Sequence, residues 1–255
     1  MDVGVRILPG LIVGLRSEQY GDVAQGVTQR AAQKLAAPQH QVEGFIAAEL
    51  ARHGVRVAPD AVQRAEWQAR VHLDDQVFAR AAGASTETQA SATRYMSFVL
   101  EGLGVADAKT VEQVVEWRRT YNPPVGLWTT RDPQALEALA LVRRAGARAA
   151  AISNSNGSAE TLLASVGLGP YLDFVVDSGE VGVEKPNPRI FELALARAGV
   201  AAAEAAYIGD FYSIDVRGAA AAGLRAVLLD PGRFWGTRDC AMAPDLLSAV
   251  RLLVG

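Results

Sequence analysis

The sequence predicts an α/β fold, a doubly wound parallel sheet with a Rossmann-like core and an inserted all-helical subdomain, and two patterns predict it. After Pro124 short apolar runs alternate with helical stretches, the order that crossover connections in a parallel sheet produce. From Val42 to Tyr121, in contrast, apolar residues recur at helical spacing with no strand-like run among them. A chain of 255 residues accommodates one sheet-based core with one insertion. The core is assigned to 1–16 and 125–255, and the helical cap to 17–124.

The apolar opening Val3 to Leu15 is broken by Arg6 and Pro9 and reads as strand and loop. It carries no basic leader or small-residue cleavage site, and nothing later approaches the ~20 apolar residues of a membrane helix. The first cap helix is expected over Val42–His53, where Phe45, Ile46, Glu49 and Leu50 share a face and Gly54 stops the run. A second opens at Pro59 and Asp60 and runs to about Ala82; others span Glu87–Leu103 and Thr110–Thr120, the last ended by Asn122, Pro123 and Pro124.

In the core, Asp132 and Pro133 begin a helix that Gly146 closes, and Arg148–Ile152 is a strand. The sequence then predicts a helix over Ser158–Val166, a strand over Phe174–Val176, a helix over Pro188–Ala198 capped by Asn187, and a strand over Ala206–Ile208. A helix at about Ile214–Ala222 and a strand at Ala226–Leu229 complete the alternation.

Charge and composition narrow the partners. With 25 Lys and Arg against 28 Asp and Glu, the net charge of −3 offers no basic face for a nucleic-acid backbone. The single cysteine, Cys240, forms no internal disulfide, which suits a reducing cytoplasm. The expected state is a cytoplasmic monomer or homodimer with no nucleic-acid or membrane partner.

Ligands of open α/β sheets bind beyond the carboxyl ends of the strands, so the residues that follow each strand are the candidates. After the first core strand come Ser153, Asn154, Ser155, Asn156 and Gly157, directly before a helix. A hydroxyl and backbone N–H groups there suit a phosphate, and an ordinary cap and turn explains them as well. After the next, Lys185 stands between Glu184 and Pro186, just ahead of a helix start, where the restricted backbone aims its ammonium at an anion; a solvated lysine is the plainer alternative. After the third, Gly209 and Asp210 are followed five residues on by Asp215, carboxylates that suit a hard cation such as Mg²⁺, with a helix cap as the alternative for Asp215.

Taken together, the order of these groups and their intervals of 32 and 25 residues, Ser153 to Lys185 to Asp210, resemble the haloacid-dehalogenase-like (HAD) superfamily. Ser153 and Asn154 look like its second motif, Lys185 in Val-Glu-Lys-Pro-Asn-Pro its third, and Gly209, Asp210 and Asp215 its fourth. The helical block is similar to the C1-type cap of the phosphatase-like branch. The resemblance implies a Mg²⁺-dependent phosphatase of a small phosphorylated metabolite, working through an aspartyl-phosphate. It assigns Ser153, Asn154 and Lys185 to the phosphate, Asp210 and Asp215 to the metal, and Lys185 and Asp210 to catalysis. A 2-haloacid dehalogenase is the rival on the same fold.

The chain departs from that family at its first motif, which should be an apolar strand ending in Asp-x-Asp-Gly-x-Thr. Asp2 has no strand before it; alignment on Ser17 and Glu18 puts Pro9 and Leu11 at the acidic positions; and no carboxylate lies between Asp22 and Glu43. Two explanations follow. The protein is a catalytically silent HAD-like phosphate binder or interaction protein, or residues before about 41 stem from an altered start or shifted reading frame. His40, His53 and His72 lack ligand-like spacing, Trp67, Trp117 and Trp128 read as packing, and Asp74 and Asp75 read as a solvated face.

Overall fold

The computed structural model describes residues 10–14, 42–80, 85–121 and 131–255. Its six-stranded sheet comprises β1 (Gly10–Gly14), β2 (Arg148–Ser153), β3 (Phe174–Asp177), β4 (Ala205–Gly209), β5 (Arg225–Leu229) and β6 (Ala241–Ala243), ordered β3-β2-β1-β4-β5-β6. β2 with β3, β4 with β5 and β5 with β6 are parallel, as the alternation predicts. β1 is the exception. It fills the central slot but runs antiparallel to both neighbours, pairing Gly10 with Ile152 and Leu11 with Ile208. Its amino end therefore lies level with the carboxyl ends of β2 and β4.

The cap is built from α1 (Val42–Arg52), α2 (Pro59–Leu73), α3 (Gln89–Gly102) and α4 (Ala108–Tyr121). Pro59 starts α2 with a fixed φ, and the Thr88 hydroxyl caps α3 by accepting from Ser91 N. The second predicted helix ends earlier than expected, because a wide π-type turn, Asp74–Phe78, follows Leu73. Ile46, Leu50, Val62, Met96, Val99, Leu100 and Val114 form the cap interior, each at most 1% exposed. Burial of each contributes about 1.5–3 kcal/mol. The predicted cap boundaries, 17 and 124, fall outside the described residues, as do Asp2, Pro9, His40 and Trp128.

The core helices are α5 (Ala135–Arg144), α6 (Ala159–Ser165), α7 (Ser178–Val181), α8 (Pro188–Ala198), α9 (Arg217–Ala221) and α10 (Leu246–Val254). α5, α6 and α10 cover one face of the sheet through Leu139, Val142, Leu163, Leu246 and Val250. α8 covers the other, with Phe191 edge-on to Tyr207 at 5.0 Å. β6, α7 and α10 are additions to the predicted elements. No helix of the described residues is long and apolar enough to cross a membrane.

Candidate active site

The sheet brings Ser153, Lys185 and Asp210 to one end. Ser153 closes β2 and Asp210 follows β4, and β1 lies between those strands, so the two stations are roughly 9–10 Å apart across the sheet. Lys185 follows β3 and turns inward, 7% exposed. Its Nζ donates to Asp215 Oδ1 at 2.7 Å and to the Tyr207 hydroxyl at 3.0 Å, and that hydroxyl donates in turn to Asp215 Oδ1 at 3.2 Å.

Asp215 is 2% exposed, and Asp210 N and Phe211 N donate to its Oδ2 at 3.0 and 2.9 Å. With two donors on each oxygen the carboxylate is fully engaged. Its place here is therefore that of an anchor for the lysine and for the loop after β4, and not that of the cation ligand the sequence suggested. The approach requires Gly209, since a Cβ there would fall 2.4 Å from that of Asp215.

Asn154 also departs from its expected role. Its Oδ1 accepts from Lys185 N at 2.8 Å, and its Nδ2 donates to Lys185 O at 2.9 Å and to the cap residue Thr86 at 2.8 Å. This side chain ties the loops after β2 and β3 to each other and to the cap, leaving Ser153 as the phosphate candidate of the pair. Ser153 Oγ lies 3.4 Å from the Asn154 carbonyl oxygen, a weak contact that a better acceptor displaces. The amino end of α6 was a second expected phosphate cradle. Gly157 N and Ala159 N, however, donate to the two oxygens of Asp177 at 2.9 and 3.0 Å, so a buried carboxylate of the protein satisfies those groups.

The cap closes over this end of the sheet. Asp74, read from the sequence as part of a solvated face, is 1% exposed; it accepts from Ser213 N at 2.9 Å and Ser213 Oγ at 2.8 Å. Burial lifts its carboxyl to about 6, against the Ser213 hydrogen bonds that hold it down. Only Asp75 of that pair faces solvent, 3.2 Å from Arg238. Phe78 meets Phe211 edge-on at 5.7 Å, and Ile214 is buried among cap side chains. Arg70 of α2 completes the closure, its Nε 3.0 Å from Asp210 Oδ2. Burial raises the Asp210 carboxyl above its ordinary pKa, and the Arg70 guanidinium opposes that rise.

The resemblance implies Mg²⁺, and the donor set tests it. Asp210 presents one partly exposed carboxylate already held by Arg70, Asp215 is saturated, and among the described residues no three His, Cys, Asp or Glu side chains converge. A divalent cation needs more oxygen than this arrangement provides, so the described residues do not fit one with the cap closed. His53 pairs with Glu49 at 3.2 Å and His72 packs edge-on to Phe98.

A parallel-sided sheet with lysine, hydroxyl and carboxylates at three strand ends, under a helical cap, defines a class of hydrolases. The chain belongs to the haloacid dehalogenase-like hydrolases, whose family model matches residues 22–223. That match begins beyond β1. Phosphoserine phosphatase of Thermus thermophilus is 43% identical over 115 residues, 45% of each chain. Glyceraldehyde 3-phosphate phosphatase of Methanopyrus kandleri is 36% identical over 103 residues, 40% of this chain and 44% of its own. The chain thus spans about half the length of the curated relatives it matches. The HAD hydrolase YfnB of Bacillus subtilis, solved with magnesium, shares the fold at a TM-score of 0.52 and 19% identity, covering 83% of this chain and 91% of its own.

Proposed function

We propose that the protein hydrolyses the phosphomonoester of a small phosphorylated metabolite in the cytoplasm. The observation that carries this reading is the buried Lys185–Asp215–Tyr207 knot, set at the same sheet end as Ser153 and Asp210. A lysine held at 2.7 Å by a saturated carboxylate has a fixed ammonium, and a fixed cation neutralises developing phosphoryl charge without reorganising. The Ser153 hydroxyl donates to a phosphoryl oxygen, Asp210 borders the reacting group, and the cap excludes water. The phosphatase names of the relatives support the substrate class.

A second reading is favoured by β1. The residues in the central slot, Gly-Leu-Ile-Val-Gly, bring no carboxylate between Ser153 and Asp210, and an aspartyl-phosphate route requires one. On that reading the same cradle binds a phosphorylated ligand without turning it over.

Hydrolysis of p-nitrophenyl phosphate, phosphoserine and glyceraldehyde 3-phosphate, with and without Mg²⁺, separates the two when paired with calorimetric binding of vanadate. Turnover abolished by Asp210→Asn supports the hydrolase. Vanadate binding that needs Lys185 but brings no turnover supports the binder. Chloride release from 2-chloropropionate would instead identify a dehalogenase. If Lys185→Met binds vanadate as wild type does, both phosphate readings are wrong.

A further inference from the structure

Arg70 occupies an unusual position. It lies on α2, in the cap, yet its side chain is 6% exposed and reaches Asp210 in the core, Nε to Oδ2 at 3.0 Å. The guanidinium is held from two sides, over the Trp67 ring at 4.8 Å and the Tyr95 ring at 5.8 Å. Tyr95 in turn donates to Glu66 Oε1 at 3.1 Å, and Glu66 is fully buried. Burial by itself would lower the Arg70 pKa, but Tyr95, Asp210 and Glu66 outweigh it and hold the value above the ordinary one. The side chain is thus a fixed, permanently charged group and not a surface arginine that happens to touch an acid.

Between the two carboxylates after β4, Asp210 is the one with capacity left for a cation, since both oxygens of Asp215 are engaged. A divalent ion would need an Asp210 oxygen at about 2.0–2.6 Å. The guanidinium already holds Oδ2, and two cations on one carboxylate repel each other.

We infer that Arg70 is the resident cation of Asp210, so that the closed cap and a divalent ion at Asp210 exclude each other. The inference deepens the phosphate-site reading and rests on it for its biological meaning. Arg70 is one turn of α2 from the segment that carries Asp74, whose carboxylate grips Ser213 beside the same loop. Withdrawing Arg70 therefore works against the Asp74 and Phe78 contacts as well, and the cation competes with cap closure as a whole. A cap that brings its own positive charge neutralises Asp210 without metal.

Mn²⁺ binding to the full chain, followed by paramagnetic resonance in the absence of any phosphate compound, tests this. Arg70→Met is expected to bind Mn²⁺ at least about tenfold more tightly than wild type, and the Arg70→Met, Asp210→Asn double variant to lose that gain. Arg70→Lys, which keeps the charge, should stay near wild type. If Arg70→Met does not fold, as circular dichroism would report, Arg70→Gln replaces it with the same expectation. Equal Mn²⁺ affinity in wild type and the folded uncharged variant overturns the inference. Because no phosphate is present, that failure is separate from a failure of Lys185-dependent vanadate binding, which would remove the phosphate-site reading alone.

Discussion

Asn154 brackets the backbone of Lys185: its carboxamide oxygen accepts from Lys185 N at 2.8 Å, and its nitrogen donates to Lys185 O at 2.9 Å. A side chain that satisfies both polar groups of another residue fixes where that residue's own side chain begins. Lys185 then reaches Asp215 and Tyr207 from a set origin. Asn154 is in this way a positioning residue for the ammonium.

Replacing Asn154 with alanine is expected to cost about 1–3 kcal/mol, because two backbone groups lose their partners. Asn154→Asp keeps the acceptor for Lys185 N and loses the donor to Lys185 O, so it should fall between wild type and alanine. Thermal unfolding measures the cost. Vanadate affinity distinguishes positioning from mere stability: it should weaken in step with the loss of register at Lys185, whereas a purely structural role would leave the affinity of the folded fraction untouched.

Much of this architecture is legible in the sequence, and the parts that are not share a cause. Alternating apolar runs and helix stops reveal β2 to β5 and α8, because strand and helix periods are local properties. The strand ends reveal Ser153, Lys185 and Asp210 for the same reason. What a polar residue does there is decided by partners far along the chain. Asn154 meets Thr86 at a separation of 68 residues, and Asp74 meets Ser213 at 139, which no local pattern signals. Asp177 illustrates the competition: it satisfies the backbone groups at the helix start that suit a phosphate when the sequence is read locally. α10 was within reach, since Asp245 accepts from Ser248 N at 2.7 Å as an N-cap before an apolar run. The direction of β1 was not, because a five-residue apolar strand carries no mark of parallel or antiparallel pairing.

The buried pair Lys185 and Asp215 should respond unequally to the loss of each partner. Lys185→Met leaves Asp215 with two backbone N–H donors and the Tyr207 hydroxyl. Asp215→Leu leaves an ammonium with the Tyr207 oxygen as its one remaining partner among the contacts described. Removing one member of a buried pair costs about 3–5 kcal/mol. Asp215→Leu is expected at or above the top of that range and Lys185→Met near or below its foot. A double-mutant cycle by denaturant unfolding checks the order, and equal costs would show that the backbone donors do not sustain Asp215 alone.

Gly209→Ala tests the close approach behind the same pair. The added methyl would meet the Asp215 Cβ and Cγ, both 2.4 Å from its position, with no flexible chain end to yield. Overpacking of this kind costs about 1–3 kcal/mol. Because the displaced group is the anchor of Lys185, vanadate binding should fall as well as stability. A stable Gly209→Ala protein with unchanged binding would mean that Asp215 does not set the lysine's position.

The docking of cap on core should tighten as pH falls from neutrality. Asp74 has an ordinary value of 3.8 and is pushed up to about 6 by burial beneath the cap. The folded value lies above the unfolded one, so the folded form binds its proton more readily. The stabilisation this provides is fully present below about 4 and is lost as pH rises through about 6. Ser213 still bonds the neutral acid, since a carboxyl retains acceptor capacity after protonation. A shift of this size corresponds to about 3 kcal/mol between the two limits, before other groups titrate. Asp74→Asn keeps the shape and an acceptor and removes the titration. Between pH 7.5 and 5.5, therefore, wild type should gain resistance to denaturant relative to Asp74→Asn. The cleanest readout is hydrogen exchange at Ser213 N, whose protection should rise across that interval in wild type and stay level in the variant.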